Sequence, residues 1–146
     1  MGIYVGGTGS ANQLDDYEEG SWTPGLYPES SAMTISYNLR LGTYVKIGRV
    51  VYWHFRFRLS NLSGNSNQTV GLSGFPFTVD NNQPQFSANI YGYSFAGEAP
   101  AGVFYHGNTT RGRLYYYVYT NQWYDSYASD MNSSTYLAGS GFYYVA

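Results

Sequence analysis

The chain has 146 residues and no cysteine, and 7 Lys and Arg against 9 Asp and Glu give a formal net charge of −2. Hydrophobic residues make up 43% and charged residues 11%, which excludes a disordered chain and a charged coiled coil and predicts one domain with a single core. The weak charge argues against a nucleic-acid partner, and no stretch approaches the about 20 apolar residues that insertion of a membrane helix requires.

Residues 1–30 are rich in glycine and acidic residues and have little apolar periodicity. They are therefore predicted to be a connecting segment, the junction to a stalk, in front of a folded domain at residues 31–146. A glycine loop at residues 6–9 follows a short apolar run. It has no room for the helix that a dinucleotide site needs, so no cofactor is predicted.

From residue 33 onward, apolar and polar residues alternate with a period of two, which is typical of strands. In the first run the apolar side comprises Met33, Ile35, Tyr37, Leu39 and Leu41. Gly48-Arg49 predicts a two-residue hairpin turn of type II′, because Gly tolerates the positive φ that its first position requires. The next run places on its apolar side Val51, Trp53, Phe55, Phe57 and Leu59.

Shorter strands are predicted at residues 69–72, 86–91, 103–105, 113–120, 135–138 and 142–145. Counting the whole chain gives about eight to ten strands separated by turns every 8 to 12 residues or so, a spacing typical of sandwiches and jelly rolls. The predicted fold is all-β: an antiparallel, jelly-roll-like β-sandwich.

The charges are unevenly distributed along the chain. Residues 15–29 contain five acids and no base, whereas residues 40–58 contain five Lys or Arg and no acid. We expect the acidic segment to pack, within a protomer or across an interface, on the polar face of the strand that carries His54. The predicted interface residues are Asp15, Asp16, Tyr17, Glu18, Glu19, Arg56 and Arg58. The alternative is that these charges are solvated, where pairs stabilise by under about 1 kcal/mol.

Catalytic patterns are not found in the sequence. His54 and His106 are the only histidines, and neither lies in a Ser-His-Asp or metal-ligand pattern. Asp125 and Asp130 are two carboxylates in a polar loop, which is no indication of a glycosidase pair. No catalytic residue and no metal site are predicted.

Aromatic residues point to binding rather than chemistry. The chain has 18 Tyr, more than a small core can hold with every hydroxyl satisfied, and tyrosine suits adaptable binding surfaces. The predicted ligand contacts are Tyr105, His106, Arg111, Trp123, Tyr124, Asp125 and Tyr127. The alternative is that these rings fill the space between sheets or between subunits.

Three stretches carry a resemblance to a known family. LDDYEEGSWTP at residues 14–24 resembles a junction that recurs in tail-fibre and related structural proteins of tailed bacteriophages, marine ones especially. GTYVKIGRVV at residues 42–51 and LSGFPF at residues 72–77 agree with that pattern in order. The resemblance covers roughly the first 80 residues, of which the first motif is the most specific part, and it stops at Asp80.

The resemblance implies the distal domain of a tail fibre, assembled as a homotrimer. Such a domain attaches the virion to a host-surface polysaccharide or lipopolysaccharide, and its N-terminus joins other virion proteins. The expected location is the virion, exposed to the extracellular medium after synthesis in the host cytoplasm. Two alternatives stay open: a purely structural virion module for fibre assembly or capsid decoration, and a polysaccharide depolymerase.

Overall fold

The computed structural model describes residues 3–4, 6, 13–14, 16–82, 88–118 and 122–145. Nearly all regular structure in these ranges is β, apart from a short 3-10 helix at Ala128–Asp130. None of the described residues forms a helix long and apolar enough to cross a membrane. The strands are β1 (Ile3–Tyr4), β2 (Gln13–Leu14), β3 (Tyr17–Trp22), β4 (Gly25–Pro28), β5 (Met33–Ile47), β6 (Val50–Gly64), β7 (Val70–Ser73), β8 (Ala88–Tyr93), β9 (Gly102–Tyr105), β10 (Arg111–Val118), β11 (Gln122–Asp125) and β12 (Tyr136–Tyr144).

Two five-stranded antiparallel sheets pack together and confirm the predicted antiparallel β-sandwich. Sheet I has the strand order β3-β5-β6-β12-β8. Sheet II has the order β11-β10-β7-β4, with β9 also paired to β10. Strands β1 and β2 pair with each other as a separate ribbon.

The core lies between the sheets, and the alternation along β6 predicts its centre correctly. Val51, Trp53, Phe55, Phe57 and Leu59 are all buried. They belong to one apolar cluster with the inward side chains of sheet II, which include Leu26, Val70, Leu72, Val103 and Leu114. Burying each large apolar side chain stabilises the fold by about 1.5 to 3 kcal/mol, so the inner face of β6 is a main source of stability.

The β5–β6 hairpin contains one feature that periodicity did not predict. The predicted two-residue turn is present, and Gly48 has a φ of +57°. Further along, the register shifts around Tyr37, so that Tyr37 pairs with Leu59 and Leu39 with Arg58. A bulge of this kind reverses which side chains face the core.

The predicted burial of Leu39 and Leu41 is therefore wrong. Both lie on the outer face of sheet I, where Leu39 is half-buried and Leu41 is 49% exposed. Arg40 pairs with Phe57 instead and remains exposed: its Nε donates to the Pro24 carbonyl at 2.5 Å, and its guanidinium lies over the Tyr37 ring.

The predicted connecting segment at residues 1–30 also needs correction, because β3 and β4 within it belong to the two sheets. Trp22, at the end of β3, is a buried core residue. Its indole Nε1 donates to the carbonyls of Thr43 and His54 at 3.2 and 3.1 Å. The folded domain therefore begins before residue 31.

Within one protomer, the described acidic residues of this segment form no ion pair with Arg56 or Arg58. Asp16 forms an ion pair with Lys46, and Glu18 accepts a hydrogen bond from the Tyr44 hydroxyl at 2.5 Å. The physical reason is the pairing of β3 with β5, which leaves β6 two strands away.

The other predicted interface residues are placed as follows. Tyr17 donates a hydrogen bond to Glu19 at 2.7 Å. Arg56 and Arg58 are exposed on β6, without an ion pair to any residue that the structure describes. Asp15 lies outside the described residues. Contact across an interface between protomers stays a prediction.

Candidate ligand-binding surface

The outer face of sheet II brings together aromatic and charged side chains from three strands. Alternation along β10 turns Leu114 into the core and Arg113, Tyr115 and Tyr117 outward. The register then sets Phe104 of β9 beside Arg113, Asp125 of β11 beside Tyr115, and Trp123 beside Tyr117. We call these six residues the β10–β11 surface: Phe104, Arg113, Tyr115, Tyr117, Trp123 and Asp125.

Trp123 is the most exposed ring of this surface, at 60%. It meets Tyr115 and Tyr117 edge to face, with ring centroids 4.8 and 5.2 Å apart. These contacts hold the indole upright on the sheet. They also leave much of its surface open to a ligand.

Tyr115 forms the buried floor beneath Trp123. Its ring lies over Gly102, where an added Cβ would stand 2.3 Å from the Tyr115 hydroxyl oxygen. Glycine at position 102 is therefore a steric requirement of the site. Burial raises the pKa of the Tyr115 phenol above its usual value, so the phenol is neutral at physiological pH.

Arg113 is held between two carboxylates. Its Nη1 donates to Asp125 Oδ2 at 3.1 Å, and its Nε donates to Glu29 Oε1 at 3.4 Å. Glu29 directly follows β4, so this contact joins chain segments far apart in sequence. Next to this pair, the guanidinium of Arg111 lies 4.5 Å above the centre of the Tyr27 ring.

Burial and neighbouring groups shift the pKa values of Glu29, Arg113 and His106. Burial alone would raise the pKa of Glu29, but the Tyr27 hydroxyl and Arg113 outweigh it, so the pKa of Glu29 is lowered. Burial opposes the charge of Arg113, yet Asp125 and Glu29 raise its pKa overall. Burial lowers the pKa of His106, which makes the neutral imidazole the main form at pH 7.

A shallow depression of about 240 Å³ lies on this surface, with Tyr124 completing its rim. Enclosed sites for small molecules usually measure about 300 to 1,000 Å³. The depression is smaller than these sites and open on one side. It suits one part of an extended ligand.

The structure brings together some of the predicted contact residues and separates others. Trp123 and Asp125 line the depression. His106 lies beside it, with its ring 6.1 Å from that of Phe104 and edge to face. Arg111 lies over the Tyr27 ring and acts electrostatically on His106. These residues come from loops and strands that pair with or adjoin β10.

The prediction for Tyr105 is wrong. Its side chain is fully buried and accepts a hydrogen bond from Trp53, because alternation along β9 points it into the core. Tyr124 reaches only the rim, since its ring stacks on Tyr116 with centroids 5.7 Å apart. Tyr127 is exposed beside the 3-10 helix, where its backbone N–H donates to Asp130.

The predicted contact residues did not include four members of this surface, Phe104, Arg113, Tyr115 and Tyr117, or Glu29, which binds Arg113. The alternation of Arg113, Tyr115 and Tyr117 along one strand was a usable signal for the outward face of β10. For Glu29 no such signal exists, because 84 residues separate it from Arg113.

Across the described ranges, no three His, Asp or Glu side chains gather in a way that could hold a metal ion.

Comparison of the chain with protein-family models, curated proteins and solved structures found no match.

Proposed function

We propose that this protein is a non-enzymatic attachment domain of a bacteriophage tail fibre that binds a host-surface polysaccharide or lipopolysaccharide through the β10–β11 surface. The observation that carries the proposal is the 60% exposed side chain of Trp123 beside the ion pair of Arg113 and Asp125. The sequence motif at residues 14–24 supplies the link to tail fibres.

This combination of side chains fits the chemistry of a sugar. One face of a pyranose ring is apolar and can stack on an exposed indole, whereas its edge carries hydroxyl groups. A carboxylate accepts hydrogen bonds from such hydroxyls and a guanidinium donates to them. Trp123 and the Arg113–Asp125 pair offer both kinds of contact within one depression.

The charge balance favours an uncharged saccharide unit. Arg111 and Arg113 carry two positive charges, and Glu29 and Asp125 carry two negative charges, so these four groups sum to zero. An acidic sugar would have to compete with both carboxylates for Arg113. A neutral sugar adds hydrogen bonds without breaking the existing ion pairs.

Assembly as a homotrimer strengthens the proposal physically. A shallow site that contacts one or two sugar rings binds weakly, and linking several copies raises the effective concentration of each. In this proposal the N-terminus joins other virion proteins, and the β10–β11 surface faces the host at the exposed end of the fibre.

The test compares two exposed aromatic residues on opposite sheets. Trp123→Ala removes the proposed stacking ring, and Tyr91→Ala removes a ring of similar exposure on sheet I. Binding is measured first on an array of neutral and acidic glycans, and then by calorimetry with a soluble oligosaccharide from the array, so that avidity does not contribute.

We expect Trp123→Ala to weaken oligosaccharide binding at least tenfold, about 1.4 kcal/mol, and Tyr91→Ala to leave it unchanged. Neutral glycans should give the stronger array signals. Equal binding by Trp123→Ala and the unaltered protein would overturn the assignment of the surface. If incubation with the protein shortened the polysaccharide chains, the protein would be a depolymerase rather than an attachment domain.

A purely structural virion module is the second candidate, and one observation favours it. Sheet I exposes a broad apolar face, which an assembly protein would use for subunit contacts. The two candidates separate on the same array, because a structural module would show no reproducible binding to any glycan.

A further inference from the structure

The outer face of sheet I exposes far more apolar surface than the outer face of sheet II. Of the twelve large apolar side chains that are exposed in the described residues, eight lie on it. We call this surface the sheet I outer face, and the eight are Tyr17, Leu41, Ile47, Tyr52, Tyr91, Tyr93, Phe142 and Tyr144.

The strand register arranges these side chains in continuous rows across the sheet. One row runs from Tyr17 through Ile47 and Val50 to Tyr144, and at the other end of the face Leu41, Arg56, Ala138 and Tyr91 stand side by side. Cross-strand neighbours on one face touch, so each end of the face carries a cluster of apolar side chains. A polar row separates the two clusters and comprises Ser21, Thr43, His54, Ser140 and Asn89.

Two ring contacts extend this surface. Tyr93 stacks on Tyr136 with ring centroids 4.8 Å apart, and Tyr52 lies 6.0 Å from Phe142. Each pair joins neighbouring strands of sheet I.

The size of this face matches a subunit interface. Five strands spaced about 4.8 Å apart and about nine residues long give a face of roughly 24 by 30 Å, or about 700 Å². A stable interface buries about 800 Å² on each partner. The face is therefore near the size that a second protein chain covers.

The charges on the face are complementary to those of a second copy. Glu19 lies at the end that carries Tyr17, and Arg56 and Arg58 lie toward the opposite end. Neither arginine forms an ion pair with any described residue. Two copies docked with their ends exchanged bring the acid of each toward the arginines of the other, whereas docking with equal ends together opposes like charges.

We infer that a second copy of this chain docks on the sheet I outer face, with Glu19 directed toward Arg56 and Arg58 of its neighbour. The inference goes beyond the proposed function: a contact that uses the same face on both copies is two-fold and closes as a pair, so it is separate from the contacts that would hold the expected trimer. It also gives Arg56 and Arg58 a role that no ion pair within the described part of one protomer supplies.

The experiment measures mass in solution by sedimentation across a range of protein concentrations. The double variant Leu41→Gln/Tyr91→Gln makes the face polar without touching the core, and Tyr117→Gln on sheet II is its matched control. A second set, Arg56→Glu/Arg58→Glu with and without Glu19→Arg, reverses the charges. Circular dichroism confirms that each variant is folded.

We expect the unaltered protein and Tyr117→Gln to be oligomers of the 16.3 kDa chain, and Leu41→Gln/Tyr91→Gln to have half their mass. The double arginine variant should dissociate at least tenfold more readily, and Glu19→Arg should restore part of the affinity. A monomeric unaltered protein would overturn the inference, as would an oligomer that both sets of variants leave intact.

The result for this interface can be told apart from the result for glycan binding. Variants of half the mass should keep the affinity for a soluble oligosaccharide and lose only avidity on a polysaccharide-coated surface. An oligomer that binds no glycan would leave this interface standing and remove the proposed ligand instead.

Discussion

Trp53 donates a hydrogen bond from its indole Nε1 to the hydroxyl oxygen of Tyr105 at 3.1 Å, and this bond joins the two sheets inside the core. Both side chains are fully buried, so neither group has water as a substitute partner. The tyrosine that sequence reasoning assigned to ligand contact is thus part of the framework behind the β10–β11 surface.

Tyr105→Phe tests this relationship. Removing the hydroxyl leaves the buried Trp53 N–H without that acceptor, which should lower the free energy of unfolding by about 1 to 3 kcal/mol. Urea denaturation gives the value, and Tyr93→Phe at an exposed phenol should change it by less than about 0.5 kcal/mol. A loss of glycan affinity in a stable Tyr105→Phe variant would contradict the framework role.

Phe57→Ala and Arg56→Ala test the alternation along β6. Phe57 is fully buried and Arg56 is exposed, so we expect a loss of about 3 to 5 kcal/mol for Phe57→Ala and less than about 0.5 kcal/mol for Arg56→Ala. Comparable losses for the two variants would mean that the strand does not have one buried and one exposed face.

Trp22→Ala tests whether β3 belongs to the folded domain. The indole packs on Phe75 with ring centroids 5.5 Å apart and donates to two backbone carbonyls. Its removal should cost about 3 to 5 kcal/mol in the free energy of unfolding. Tyr17→Ala, on the exposed part of the same strand, is the control. If residues 1–30 were only a connection, neither variant would affect stability.

Gly102→Ala tests the floor of the candidate site. The new Cβ would overlap the Tyr115 hydroxyl and push the ring that supports Trp123, so we expect a loss of about 1 to 3 kcal/mol in stability together with weaker oligosaccharide binding. Adding Tyr115→Ala removes the overlap, and the double variant should lose less stability than the sum of the single variants. Strict additivity would show that the two positions do not interact.

His106→Asn tests the pH dependence of the cluster. The pKa of His106 in the folded protein lies below its ordinary value of 6.5, because burial opposes the charged ring; Glu29 and Asp125 act against this shift, and Arg113 and Arg111 add to it. The unfolded chain therefore binds the proton more readily, so the contribution of His106 is complete above about pH 6.5 and is lost as the pH falls through the folded pKa.

Thermal melting at a series of pH values measures this effect. Below about pH 6.5 the melting temperature should fall less steeply in His106→Asn than in the unaltered protein. The pKa of Glu29 is also lowered, from an ordinary value of 4.5, so its own loss of stability appears only in more acidic solution. Identical melting profiles for the two proteins between about pH 4.5 and 6.5 would contradict the neutral, buried state of His106.

The candidate site was only partly predictable, for a physical reason that its members share. Trp123 and Asp125 were found because a loop dense in aromatic and polar residues is visible locally in the sequence. Arg113 and Glu29 meet only through the pairing of β4 with β7 and of β7 with β10, and periodicity carries no information about which strands become neighbours.

By itself, the sequence determined the fold class and the inner face of β6, because hydrophobic burial acts on side chains at every second position whatever the strand order. Only the tertiary structure decided that Leu41 is exposed, that Tyr105 is buried, and that β3 and β4 join opposite sheets. A bulge, a register and a choice of partner strand depend on backbone hydrogen bonds between segments distant in the chain, and such bonds are nearly independent of side-chain identity.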